Sequence, residues 1–137
     1  MGMQDAILKA VRWDTPWVSG DASLRQVIAK LVDSQGSSLV VKEGDVVAGI
    51  ITDMDIMTRL AEGADLDSTR AASFMTACAL IGTGKVKSPC VQLDEAQTVM
   101  NALGVMATAG VHNLMVSGAA GRVGTVSVRD LLRLVIA

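Results

Sequence analysis

The stretch GIITDMDI, Gly49 to Ile56, reads as the end of a strand that runs into Thr52 and straight on into an acidic helix start. The same shape returns as GTVSVRDL, Gly124 to Leu131, at a constant offset of 75 residues. Working outward, that offset also pairs Leu24 with Val99, Ile28 with Leu103, Leu31 with Met106, Leu39 with Leu114 and Val41 with Val116. A helix stripe, a strand and a strand-to-helix corner therefore repeat together, which marks supersecondary units that bury their apolar faces on one another. Neither half is expected to be stable alone.

In the first copy, Ala6, Ile7, Ala10 and Val11 share one helical face over residues 3–12, and Pro16 stops that helix. Trp17 and Val18 read as a short strand. Asp21 or Ser23 then caps a helix whose Leu24, Val27, Ile28 and Leu31 keep the helical period, and Gly36 ends it. Two apolar runs, Leu39 to Val41 and Val46 to Ile51, flank KEGD, a hairpin turn in which Gly44 can take positive φ. The next helix carries Ile56, Met57 and Leu60 and stops near Gly63, and EGADLDST reads as a short polar connector. The second copy opens at AASFMT and continues with a strand at Cys90 to Leu93 and a helix with Val99, Ala102, Leu103 and Met106. A strand at Asn113 to Val116, the turn SGAAGR, a strand at Val123 to Ser127 and a last helix complete it. The chain reads as one domain over 1–137, with a first unit at 1–63, opening helix included, and a second at 70–137.

The order glycine, two apolar residues, Thr or Ser, two variable residues, Asp, apolar resembles the signature of the CBS domain, the regulatory module named after cystathionine β-synthase. Two octets at one offset with matching upstream stripes carry that resemblance over most of the chain. It implies an α/β (α+β) fold: a stand-alone Bateman-type pair of β-α-β-β-α repeats packed about a pseudo-twofold axis, with two clefts between them. AASFMT resembles the Met-Thr opening of such units. Residues 77–89 are longer than the usual bridge, so the resemblance sets neither their path nor a contact from Thr76.

Composition removes several function classes. At 137 residues the chain can bury one real core, and no apolar run approaches the roughly 20 residues that span a bilayer. The start, MGMQDAILKAVRWD, lacks the pattern of a secretory signal. Twelve basic and 14 acidic residues are scattered, with one Phe, two Trp and no Tyr, which disfavours a nucleic-acid partner. Cys78 and Cys90 offer neither a disulfide framework nor zinc-ligand spacing and read as reduced thiols of a soluble, cytoplasmic protein.

Each corner admits two accounts. Thr52 with Asp55, and Ser127 with Asp130, stand in capping-box spacing, worth about 1 kcal/mol per cap and requiring no ligand. The same geometry offers a helix N-terminus to a phosphate and a carboxylate to both hydroxyls of a ribose. The resemblance implies Asp55 and Asp130 on ribose, with Thr52 and Ser127 beside a phosphate. For the adenine slot it implies Val18, Ser37, Ser38, Leu39 and Ile50 in one site, and Val91, His112, Asn113, Leu114 and Val126 in the other. Asp53 adds a second carboxylate to the first corner, which is expected to be empty or to take a less charged adenosyl ligand, whereas Arg129, with Lys87 and His112 near, would favour anionic nucleotides at the second. Arg129 reads equally well as a solvated helix-face residue.

The expected function is a regulatory module that senses an adenosine-containing ligand, AMP, ADP, ATP or S-adenosylmethionine, as a homodimer with an unidentified protein partner. No cofactor is required and no metal site is expected. The alternative is a dimerisation scaffold with no bound nucleotide. The chain is not expected to be an enzyme, since it offers no nucleophile elbow, P-loop or metal-ligand cluster.

Overall fold

The computed structural model describes residues 3–77, 92–119 and 122–137. Lys87, Val91, the two cysteines and the bridge beyond residue 77 lie outside the described residues. Contacts divide the chain into two units, Thr15–Cys90 and, separately, Met1–Asp14 with Val91–Ala137.

In the Thr15–Cys90 unit the element order is β1 (Trp17–Ser19), α1 (Leu24–Asp33), β2 (Ser38–Glu43), β3 (Val46–Thr52), α2 (Asp53–Ala61), α3 (Ala71–Phe74) and β4 (Thr76–Ala77). The sheet order is β1-β2-β3-β4, with β1 parallel to β2 and the other pairs antiparallel. Gly44 takes φ 64° at the hairpin and Gly63 takes φ 83° beyond α2, the conformations those turns require. Helix α1 starts on a full capping box from Ser23 and Gln26. It ends at Asp33, three residues before Gly36, because Ser34 turns extended and its hydroxyl bonds the Leu31 carbonyl instead. Leu24, Val27, Leu39, Val41 and Ile51 form the centre of the core.

The other unit begins with a 3-10 turn (Ile7–Ala10) and continues with β5 (Gln92–Asp94), α4 (Val99–Ala109), β6 (Asn113–Ser117), β7 (Val123–Ser127) and α5 (Val128–Ile136). Its sheet order is β5-β6-β7. Val99, Met106, Leu114 and Val116, the partners of Leu24, Leu31, Leu39 and Val41, are buried in the core.

The opening segment does not keep company with the repeat that follows it. Ile7 is fully buried among Leu93, Val99, Leu114 and Leu131, and Arg12 bridges to Thr125. The sequence-based grouping of the opening helix with residues 1–63 therefore differs from the contacts, and only one 3-10 turn forms where a helix over 3–12 was expected. A second register explains this: residues 5–13 take in their unit the place that 69–77 take in the other, at an offset of 64, although the two stretches share no residue. Leu24 donates its N–H to the Thr69 carbonyl as Val99 does to that of Asp5, both at the first turn of a helix. Ile50 faces Thr76 as Thr125 faces Arg12. In each unit a short turn satisfies orphan N–H groups of one helix and then crosses the edge of the sheet. EGADLDST is thus no bare linker: Asp65 holds its turn through Ser68 and Asp67, and Arg25 of α1 forks onto Asp67.

Candidate functional site

The site begins at the glycine that opens each motif. A Cβ on Gly49 would lie 2.5 Å from the Thr76 carbonyl oxygen and 2.8 Å from Met75 Sδ. On Gly124 it would lie 2.7 Å from the Arg12 carbonyl oxygen and 2.7 Å from Val11 Cγ1. Neither glycine has positive φ, so close passage of the crossing segment is what requires it.

Three residues later the strand becomes a helix. At the first corner, the Thr52 hydroxyl accepts the Asp55 N–H at 3.4 Å, and Asp55 Oδ2 accepts the Thr52 N–H at 2.9 Å and its hydroxyl at 3.2 Å. The capping box is complete, and Asp55 Oδ1 accepts nothing among the described residues. The Asp53 N–H goes to the Ser37 carbonyl and the Met54 N–H to Asp53 Oδ1, so the first three N–H groups of α2 are already satisfied.

The second corner has the same backbone and a different carboxylate environment. The Ser127 hydroxyl accepts the Asp130 N–H at 3.1 Å, and the Val128 N–H goes to the His112 carbonyl as its counterpart does to Ser37. Asp130 does not reach back to complete a box. Its Oδ2 accepts Arg12 Nε at 2.9 Å, and its Oδ1 accepts Arg12 Nη2 at 3.3 Å and Arg133 Nη1 at 3.1 Å. Asp130 is 8% exposed, and a forked guanidinium is its strongest available partner. The pairing raises the Arg12 pKa further above its usual value, first through the hydrogen bond and then through charge.

The slot residues separate by face, because side chains alternate along a strand. Val18 and Leu39 in one unit, and Leu114 and Val126 in the other, point into the cores. Ser38 and Ile50 fall outside the core cluster, with Ser38 directly opposite Thr52; Asn113 stands opposite Ser127. Ser37 and His112 meet the corners through their backbone carbonyls. The Arg129 side chain is exposed and makes no ion pair among the described residues, so the arginines that face the second corner are Arg12 and Arg133. Arg12 lies 118 positions from Asp130, and the sequence carries no signal for it, since VRW and its structural counterpart MTA share no residue. Arg133 was legible as a residue three after Asp130 on one helix face.

A sequence model of the CBS domain matches residues 8–62 and again residues 84–137. The chain belongs to the CBS-domain family. Comparison with solved structures gives the same fold. An uncharacterized conserved protein from Pyrococcus horikoshii superposes with a TM-score of 0.80 at 20% identity, covering 97% of this chain and 93% of that one. A protein with CBS domains from Burkholderia ambifaria gives 0.79 at 22% identity, covering 95% and 90%. The CBS domain pair of protein MJ0100, solved in complex with 5′-methylthioadenosine and S-adenosyl-L-methionine, gives 0.75 at 19% identity, covering 95% and 98%. No curated protein sequence matches the chain. Among the described residues no cluster of His, Cys, Asp and Glu is placed to hold a metal ion, and no helix is long and apolar enough to cross a membrane.

Proposed function

We propose that this CBS pair is a regulatory module that binds an adenosine-containing ligand at one or both of its corners and passes occupancy on through a homodimer to a protein partner in the cytoplasm. The observation that carries this reading is Asp55, a half-buried carboxylate at a helix start with one oxygen still free to accept hydrogen bonds. The complex of the MJ0100 pair with two adenosyl compounds supports adenosyl chemistry as the class. Asp53 and Asp55 place two carboxylates at the first corner while its helix N–H groups are taken, so an uncharged or cationic adenosyl ligand suits it better than a polyphosphate. Binding calls for no catalytic group.

A second reading, a dimerisation scaffold without nucleotide, draws on the exposed Met54, Met57 and Leu60 of α2 and Leu132 and Ile136 of α5. Thermal-shift measurements with AMP, ADP, ATP and S-adenosylmethionine separate the two. A ligand at 100 times its Kd stabilises by about 2.7 kcal/mol, and no shift with any of the four leaves the scaffold.

A further inference from the structure

We infer that Arg12 closes the Asp130 corner from within the chain, so that recognition of a ribose falls to Asp55 alone. The inference rests on the ligand-binding reading above and narrows it to one site. A carboxylate offers about four acceptor positions, and a vicinal diol needs two of them. At Asp130 the Arg12 fork takes one position on each oxygen and Arg133 takes a third, so a diol could bind only by breaking a charge-assisted pair. Asp130 is buried, which makes stripping its partners more costly still.

The fork is held in place from both sides. The Arg12 backbone exchanges two hydrogen bonds with Thr125, at 2.8 and 3.0 Å, and the next residue, Trp13, carries Arg122 stacked 3.8 Å from its ring centroid. In the other unit the position facing the sheet edge is Thr76, opposite Ile50. Its side chain is short and uncharged and cannot form a guanidinium fork, and Asp55 has no ion pair among the described residues. The two corners thus share one backbone plan and differ in the side chain that the crossing segment delivers.

Isothermal titration calorimetry of the full chain with 5′-methylthioadenosine tests this. The wild-type chain is expected to take up one equivalent, and Asp55→Asn, which retains an acceptor for the cap, to weaken binding at least tenfold. Arg12→Ala is expected to take up a second equivalent. Arg12→Lys, which keeps the charge and loses the fork, is titrated beside it with far-UV circular dichroism on both, so that a folding defect in the alanine variant leaves the test intact. Two equivalents on the wild-type chain, wild-type affinity in Asp55→Asn, or a single equivalent in folded Arg12 variants would overturn the inference alone. No uptake by the wild-type chain or any variant overturns the inference, and together with no thermal shift from AMP, ADP, ATP or S-adenosylmethionine it removes the ligand-binding reading as well.

Discussion

Replacing Gly124 by Ala tests the packing on which the second corner depends. The new Cβ would sit 2.7 Å from the Arg12 carbonyl oxygen, 2.7 Å from Val11 Cγ1 and 2.9 Å from Trp13 Cε3, all closer than carbon normally approaches. Val11 could rotate, but the Arg12 carbonyl is backbone and accepts the Thr125 N–H at 3.0 Å. Relief therefore means lifting the crossing segment. Its two bridge hydrogen bonds contribute about 1 kcal/mol each, and overpacking of this kind typically costs about 1–3 kcal/mol. Against this, Ala in a strand recovers roughly 0.5–1 kcal/mol of backbone entropy relative to Gly. The net expectation is a destabilisation of about 2 kcal/mol, a fall in Tm of roughly 6–8 °C for a chain of this size. Differential scanning calorimetry at matched concentration reads it directly. A Tm within about 1 °C of wild type, on the same scale, would refute the claim that the motif glycine exists to let the segment pass.

Gly104→Ala should act in the opposite sense, because a Cβ there meets nothing within 4 Å in the exposed middle of α4; a gain of about 0.8–1 kcal/mol is expected in chemical denaturation. A double-mutant cycle with Arg12→Ala and Asp130→Asn should give a coupling of about 2 kcal/mol, above that of an exposed pair because Asp130 is buried and below that of a fully buried one because the Arg12 side chain is 39% exposed. Ser23→Ala removes one half of a capping box and should cost about 1 kcal/mol by the same assay. The Asp65 carboxylate, hydrogen-bonded first by the Ser68 hydroxyl, and Asp67, bonded by Arg25, both lie below the usual carboxylate pKa. Folded-state values depressed in this way stabilise above the unfolded pKa, and that contribution is lost as the pH falls through the folded one. NMR titration should find both carboxylates titrating below the ordinary range, and ordinary values would show that the 65–68 turn does not form.

What could be read from residues alone was local. Leu24, Val27 and Leu39 announce their burial by period, Gly44 and Gly63 mark turns by their freedom at positive φ, and Thr52 and Asp55 form the expected box because all its atoms lie within four residues. Asp130 occupies the same motif position and behaves otherwise, since its partner arrives from the far end of the chain. The adenine-slot residues named by resemblance likewise divided between core and opposite face, a distinction that rests on strand register.

Taken by itself, the order of residues determined that two equivalent units exist, which positions each one buries, and where each strand turns into a helix, because these follow from periodicities and capping chemistry spanning a few residues. The tertiary structure alone decided which segment crosses each sheet edge. That crossing brings Arg12 to Asp130 and Thr76 to the edge of the other sheet, making two matching corners chemically unlike. The physical reason is that an edge strand is chosen by backbone hydrogen bonding and steric fit against a glycine, neither of which leaves a strong mark in the side chains.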